Sequence, residues 1–74
     1  MSVYVIAMAC YIHGACHHGY FQVHNPALVD CRQDVMPMIE GHRSKDKAGN
    51  ILVWHAQSCV TSATPPGGEM LGMI

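Results

Sequence analysis

The sequence contains little charge. Only 12% of its 74 residues are charged, against about 25% in a typical soluble domain. Four Lys and Arg residues and five Asp and Glu residues give a formal net charge of −1. A nucleic-acid-binding surface needs several cations to neutralise phosphates. The charge balance therefore argues against a nucleic-acid partner.

The sequence also lacks the motifs that mark common enzyme classes. It has no glycine-rich phosphate loop, no serine nucleophile elbow and no obvious pair of carboxylates for acid–base catalysis. Cys16 stands beside His17 and His18, the residue types of a thiol nucleophile, but adjacent residues on a strand point to opposite faces. So short a chain also has little room for a substrate cleft. We therefore predict a protein that is not an enzyme and has no cofactor.

Apolar residues, in contrast, are abundant. They make up 50% of the sequence, and six of them are methionine. A small domain buries only part of its surface, so some of this apolar material should stay exposed as an interface, where flexible methionines are well suited. The sequence predicts a protein–protein interaction or inhibitor-type module, of a kind that mobile elements encode, which binds a partner protein or forms a homo-oligomer. The expected interface residues are Met36, Met38, His42, Trp54, Met70 and Leu71.

The apolar run from Val3 to Ile12 bears on location. It is far shorter than the roughly 20 residues of a membrane helix, and no cationic segment precedes it as in a signal peptide. We therefore expect no membrane association and a cytoplasmic protein. In that reducing compartment the four cysteines would be free thiols, whereas a secreted protein would allow three alternative pairings.

The same run is rich in β-branched and aromatic residues, which favours a strand. Strand character returns from Tyr20 to His24, so we predict a hairpin whose tip is residues 13–19 and in which Ile12 lies opposite Tyr20. One apolar face of this hairpin should contain Val3, Val5, Ala7, Ala9, Tyr11, Phe21 and Val23.

A second hairpin is predicted from residues 36–43 and 50–60. Asp46-Lys47-Ala48-Gly49 suits a type I turn with a glycine bulge, and this turn sets a register that places His42 opposite Trp54. Residues 26–36 connect the hairpins as a short helix capped by Asn25 or as an irregular crossover. The predicted fold is α+β and mainly β, with about four antiparallel strands, either open or rolled into a barrel.

The predicted domain spans residues 1–61. After it the composition shifts to Thr, Ser, Pro and Gly, which predicts a flexible tail over residues 62–74. The last residues are apolar again, and the alternative is that they dock along an exposed strand edge.

A metal site is the second functional hypothesis. His13 and Cys16 have a two-residue spacing that suits zinc, and soft sulfur ligands including Met8 would suit Cu(I). His55 and Cys59 are about 13 Å apart on a strand, so they cannot join one ion. The candidate ligands all lie within residues 10–24, namely Cys10, His13, Cys16, His17, His18 and His24.

Overall fold

The fold is a five-stranded mixed sheet. The computed structural model describes all of residues 1–74, and half of them lie in strands. The strands are β1 (Ser2–Tyr11), β2 (Cys16–Gln22), β3 (Arg43–Lys45), β4 (Ile51–Ser62) and β5 (Glu69–Met73). Their order is β3-β4-β1-β2-β5, and only β2 and β5 run parallel. The sheet curls into a half-barrel. The prediction of a mainly β fold is confirmed, while the number of strands and the parallel pair differ from it.

The first hairpin keeps its predicted apolar face in a different register. Ile6, not Ile12, lies opposite Tyr20. The turn is shorter than expected, and it closes through hydrogen bonds from the Tyr11 N–H to the Ala15 carbonyl (2.7 Å) and from the Gly14 N–H to the Tyr11 carbonyl (2.9 Å). The change in register is six positions, an even number, so the same side chains still face the core.

The second hairpin has the predicted turn and register. Arg43 pairs with Val53 and Lys45 with Ile51. Asp46 accepts the Asn50 N–H at 2.9 Å, and Gly49 has a φ of +86°, the left-handed geometry that glycine adopts without strain. Across the hairpin, the Trp54 N–H donates to the His42 carbonyl at 2.8 Å.

The helix lies later in the chain than predicted. A π-helical turn over Cys31–Val35 leads into α1 (Met36–Ile39). Asp30 caps the turn by accepting the N–H groups of Arg32 and Gln33, as short polar side chains do. The predicted strand over 36–43 is wrong for every residue except Arg43, the first residue of β3. Pro37 lies at the start of α1. Proline is tolerated there because the first N–H groups of a helix have no partner within the helix.

The core forms between this helical segment and one face of the sheet. Val35 and Ile39 from the helical side pack on strand residues Val5 and Ala7 and on Val23. Burying an aliphatic side chain such as Val or Ile contributes about 1.5–3 kcal/mol. The helical segment therefore stabilises the sheet by covering its apolar face.

The four cysteines form two disulfides. Cys10 is bonded to Cys16 at the turn of the first hairpin, and Cys31 is bonded to Cys59, which ties the helical segment to β4. The expectation of free thiols is therefore wrong for this structure, which has no free cysteine. Neither the π-helical turn nor α1 has the length or apolar character required to cross a bilayer.

The C-terminal segment differs from the expected flexible tail. Residues 69–73 form β5 and pair with β2, so they belong to the same sheet as the rest of the domain. Gly19 makes this close approach possible, since a Cβ at that position would lie 2.7 Å from the Leu71 Cγ and would overlap the Glu69 carbonyl. The alternative of docking along a strand edge is the arrangement observed.

Candidate functional site

The outer side of β5 is an open strand edge. β2 is the only strand paired with β5. The Ile74 N–H donates to the Gln22 carbonyl at 2.9 Å, and the Ile74 carbonyl accepts the His24 N–H at 2.6 Å. Backbone groups alternate in direction along an extended chain, so the N–H and C=O of Met73 point away from β2. We call this row of outward backbone groups and its flanking side chains the β5 edge.

The side chains of the β5 edge are apolar. Met70 is 46% exposed and Met73 is 55% exposed, while Glu69 is the one charged residue of the strand. Proteins protect edge strands from unwanted pairing with Lys, Pro or bulges. β5 contains neither Lys nor Pro. Its protective features are the charge of Glu69 at its first position and an extra residue, Leu71, in its pairing with β2. The edge is therefore available for pairing with another strand.

The opposite edge strand, β3, also pairs on one side only, but it is three residues long and carries Arg43 and Lys45, and short, charged edge strands oppose pairing. β3 covers the start of β4, and beyond β3 the Gly41 N–H donates to the Trp54 carbonyl at 2.8 Å. The Glu40 carboxylate then accepts the Ala56 N–H at 3.2 Å and contacts the His55 Nδ1 at 2.8 Å. Further along β4, the disulfide from Cys59 holds the helical segment against the strand. This leaves the β5 edge as the clearest pairing surface.

The predicted interface residues divide into two groups. Met70 and Leu71 belong to β5, and Leu71 packs partly against the core. The other group lies by the helix, where Met36 packs against the core. The other three, Met38, His42 and Trp54, line an apolar cavity of about 230 Å³. Its remaining lining residues are Phe21, Ile39 and Ile74. Met73 is not among the predicted interface residues, because only its pairing with β2 shows that it belongs to an edge strand.

The six predicted metal ligands do not form a single group. The Cys10 and Cys16 sulfurs are bonded to each other. The rings of His13 and His17 contact the Tyr11 ring, with centroids 5.1 and 5.5 Å away. His18 lies opposite Met8, on the other face of β2 from His17, and His24 is exposed beyond the end of β2. In this disulfide-bonded form, no three His, Cys, Asp or Glu side chains are grouped to hold a metal ion.

One ionisable contact joins the two hairpins. The Tyr11 hydroxyl donates to the Asp46 carboxylate at 2.9 Å. Backbone hydrogen bonding from Asn50, with the Tyr11 hydroxyl second, lowers the pKa of Asp46 from 3.8. The same hydrogen bond raises the pKa of Tyr11 above 10.0, because the phenol must keep its proton to donate to the carboxylate. This contact fixes the end of β1 against the second turn.

Comparison with protein-family models, with curated proteins and with solved structures finds no match to this chain.

Proposed function

We propose that this protein is a non-enzymatic interaction module that self-associates by pairing the β5 edges of two copies. The observation that supports it most is the open, apolar β5 edge with its exposed Met70 and Met73. Exposed apolar surface of this kind marks interaction sites, and unpaired edge backbone supplies the hydrogen bonds for strand addition.

The arrangement that suits this edge is antiparallel. Two copies related by a two-fold axis present the same surface to each other, so their sheets would join into one continuous sheet. In an antiparallel pair, the two Glu69 side chains lie at opposite ends of the joined strands and do not repel each other. The formal net charge of −1 per chain adds little repulsion between the copies.

The test is the molar mass of the protein in solution, measured by light scattering from micromolar to millimolar concentration. The native chain should approach twice its monomer mass as concentration rises. The double variant Met70→Lys and Met73→Lys should remain a monomer, because each Lys at an edge strand opposes pairing. Both positions are exposed, so the monomer fold should tolerate them.

A matched control adds the same charge elsewhere. Ile12 is 74% exposed and Leu28 is 78% exposed, and neither lies in a strand. The double variant Ile12→Lys and Leu28→Lys should dimerise as the native chain does. A native chain that stays monomeric at millimolar concentration would overturn the proposal. So would equal loss of dimer in the two double variants.

A further inference from the structure

Four side chains with metal-binding atoms share one face of the first hairpin. Met8 lies directly opposite His18, and Cys10 directly opposite Cys16. Opposed residues of an antiparallel pair share a face, as do residues two apart along a strand. We call these four residues the Cys10 face. Its accessibility to solvent follows from the exposure of Cys16 and His18.

We propose that reduction of the Cys10–Cys16 disulfide by a dithiol converts the Cys10 face into a Cu(I) site. Its ligands are the two thiolates, the His18 imidazole and the Met8 thioether. The inference does not depend on pairing at the β5 edge, which lies on the far side of β2 from β1.

The redox step balances as a thiol–disulfide exchange. A thiolate of the dithiol attacks the Sγ atom of Cys16, the bond between the two protein sulfurs breaks, and its electron pair leaves with the Cys10 Sγ. The second thiol of the reductant loses its proton and attacks the reductant's own first sulfur, which is bonded to Cys16 in the mixed disulfide. The Cys16 Sγ leaves as a thiolate. The dithiol becomes a disulfide, and the protein gains two electrons and takes up the two protons as thiols. Binding of the metal then displaces those protons.

The ligand set favours Cu(I) over other ions. Thiolate and thioether sulfurs are soft donors that select Cu(I), and imidazole also suits copper. Zinc takes thiolates and imidazole but not a thioether. Met8 therefore distinguishes the two metals. In the oxidised chain its Sδ accepts only the exposed Gln57 Nε2, at 3.8 Å, so it is free to turn toward an ion.

Backbone pairing of β1 on both sides, and not the disulfide alone, holds Met8 and Cys10 in register. β1 is the central strand of the sheet and pairs with both β2 and β4. Met8 and Cys10 are therefore fixed by backbone bonds on both sides of β1. His17 is excluded from the site, since it lies opposite Ala9 on the other face and contacts the Tyr11 ring.

The test is anaerobic competition for Cu(I) between the protein and a chromophoric Cu(I) chelator. The protein is first reduced with the dithiol dithiothreitol and then desalted. The reduced chain should take up one Cu(I) at the Cys10 face, and the oxidised chain none. Removing a group that only hydrogen-bonds to a metal ligand already lowers affinity by about 10–100-fold. Removing a ligand by His18→Ala should therefore weaken binding by roughly 100-fold. Met8→Leu should weaken the binding of Cu(I) but not of Zn²⁺.

The adjacent exposed histidine supplies the matched control. His17→Ala should leave the affinity unchanged, because that side chain is on the opposite face of β2. The double variant Cys10→Ser and Cys16→Ser, reduced in the same way, keeps Cys31 and Cys59 and so measures any Cu(I) that this second pair of thiols binds. The native chain should bind one Cu(I) more than this variant. Equal effects of His17→Ala and His18→Ala would overturn the proposal. So would equal Cu(I) uptake by the double serine variant and the native chain, or equal binding by the oxidised and reduced chains.

Discussion

Leu71 of β5 packs directly over the bare Cα of Gly19 in β2. A Cβ at position 19 would lie 2.7 Å from the Leu71 Cγ, closer than packed carbon atoms approach. The whole C-terminal strand, and with it the proposed pairing edge, depends on the absence of a side chain at that one position.

Gly19→Ala should therefore displace β5 from the sheet. Overpacking of this kind costs about 1–3 kcal/mol, and denaturation with urea should show a loss of stability in that range. The amide of Ile74, which bonds to Gln22, should lose its protection from hydrogen exchange. Gly67→Ala is the control, since a Cβ there meets nothing within 4 Å and neither glycine has a positive φ. Equal behaviour of the two variants would contradict this role of Gly19.

Asp46 should make the stability of the fold depend on pH in the acid range. Its pKa in the folded chain is lowered from 3.8, so its contribution is present at higher pH and is lost as the pH falls through that lowered value. The melting temperature of the native chain should fall between about pH 5 and pH 2. Asp46→Asn should flatten this part of the profile, because the amide does not titrate.

Tyr11 provides the comparison for that experiment. Tyr11→Phe removes only the second-largest cause of the lowered Asp46 pKa, so most of the acid dependence should remain. The Tyr11 pKa is raised above 10.0, so its own contribution is present below that pH and is lost as the pH rises through the raised value. Identical acid profiles for the native chain and Asp46→Asn would refute the assignment.

The two disulfides should contribute unequally to stability. In the chain-entropy description a disulfide contributes more when it closes a longer loop, typically about 2–4 kcal/mol. Cys31 and Cys59 are 28 residues apart, whereas Cys10 and Cys16 are six apart. Replacing Cys31 and Cys59 by Ala should lower the free energy of unfolding by roughly 1 kcal/mol more than replacing Cys10 and Cys16. Urea denaturation of the two double variants measures the difference, and the reverse order would be inconsistent with the helical segment being held by Cys31.

Neighbouring residues of α1 should respond very differently to truncation. Ile39 is buried in the core, while Met38 is 64% exposed. Ile39→Ala should lower the free energy of unfolding by about 2–5 kcal/mol. Met38→Ala should change it by no more than about 0.5 kcal/mol. Similar losses in the two variants would mean that the helix does not pack on the sheet as described.

The sequence predicted those parts of the fold that depend on local chemistry. Asp46 and Gly49 define their turn within five residues, so the register of the second hairpin follows from them. Alternation along β1 identifies its apolar face, because a change of register by an even number of positions leaves the face intact.

Long-range features could not be predicted in the same way. Gly14 and Gly19 are equally good turn residues, and only the arrival of β5 shows that Gly19 serves close packing. Asn25 and Asp30 are equally good helix caps, and the choice depends on which helical residues reach the sheet. The disulfides were missed because the expected compartment, and not the fold, determined the expectation for the cysteines.

The backbone amide of Met73 gives the most direct test of self-association through β5. Its N–H points away from β2, so in a monomer it should exchange with solvent at close to the rate of an unprotected amide. Residue-resolved hydrogen exchange should show protection of Met73 that grows with protein concentration, while Ile74, bonded to Gln22, stays protected throughout. If the protein dimerises and the Met73 amide still exchanges rapidly at every concentration, the two copies do not meet through this edge.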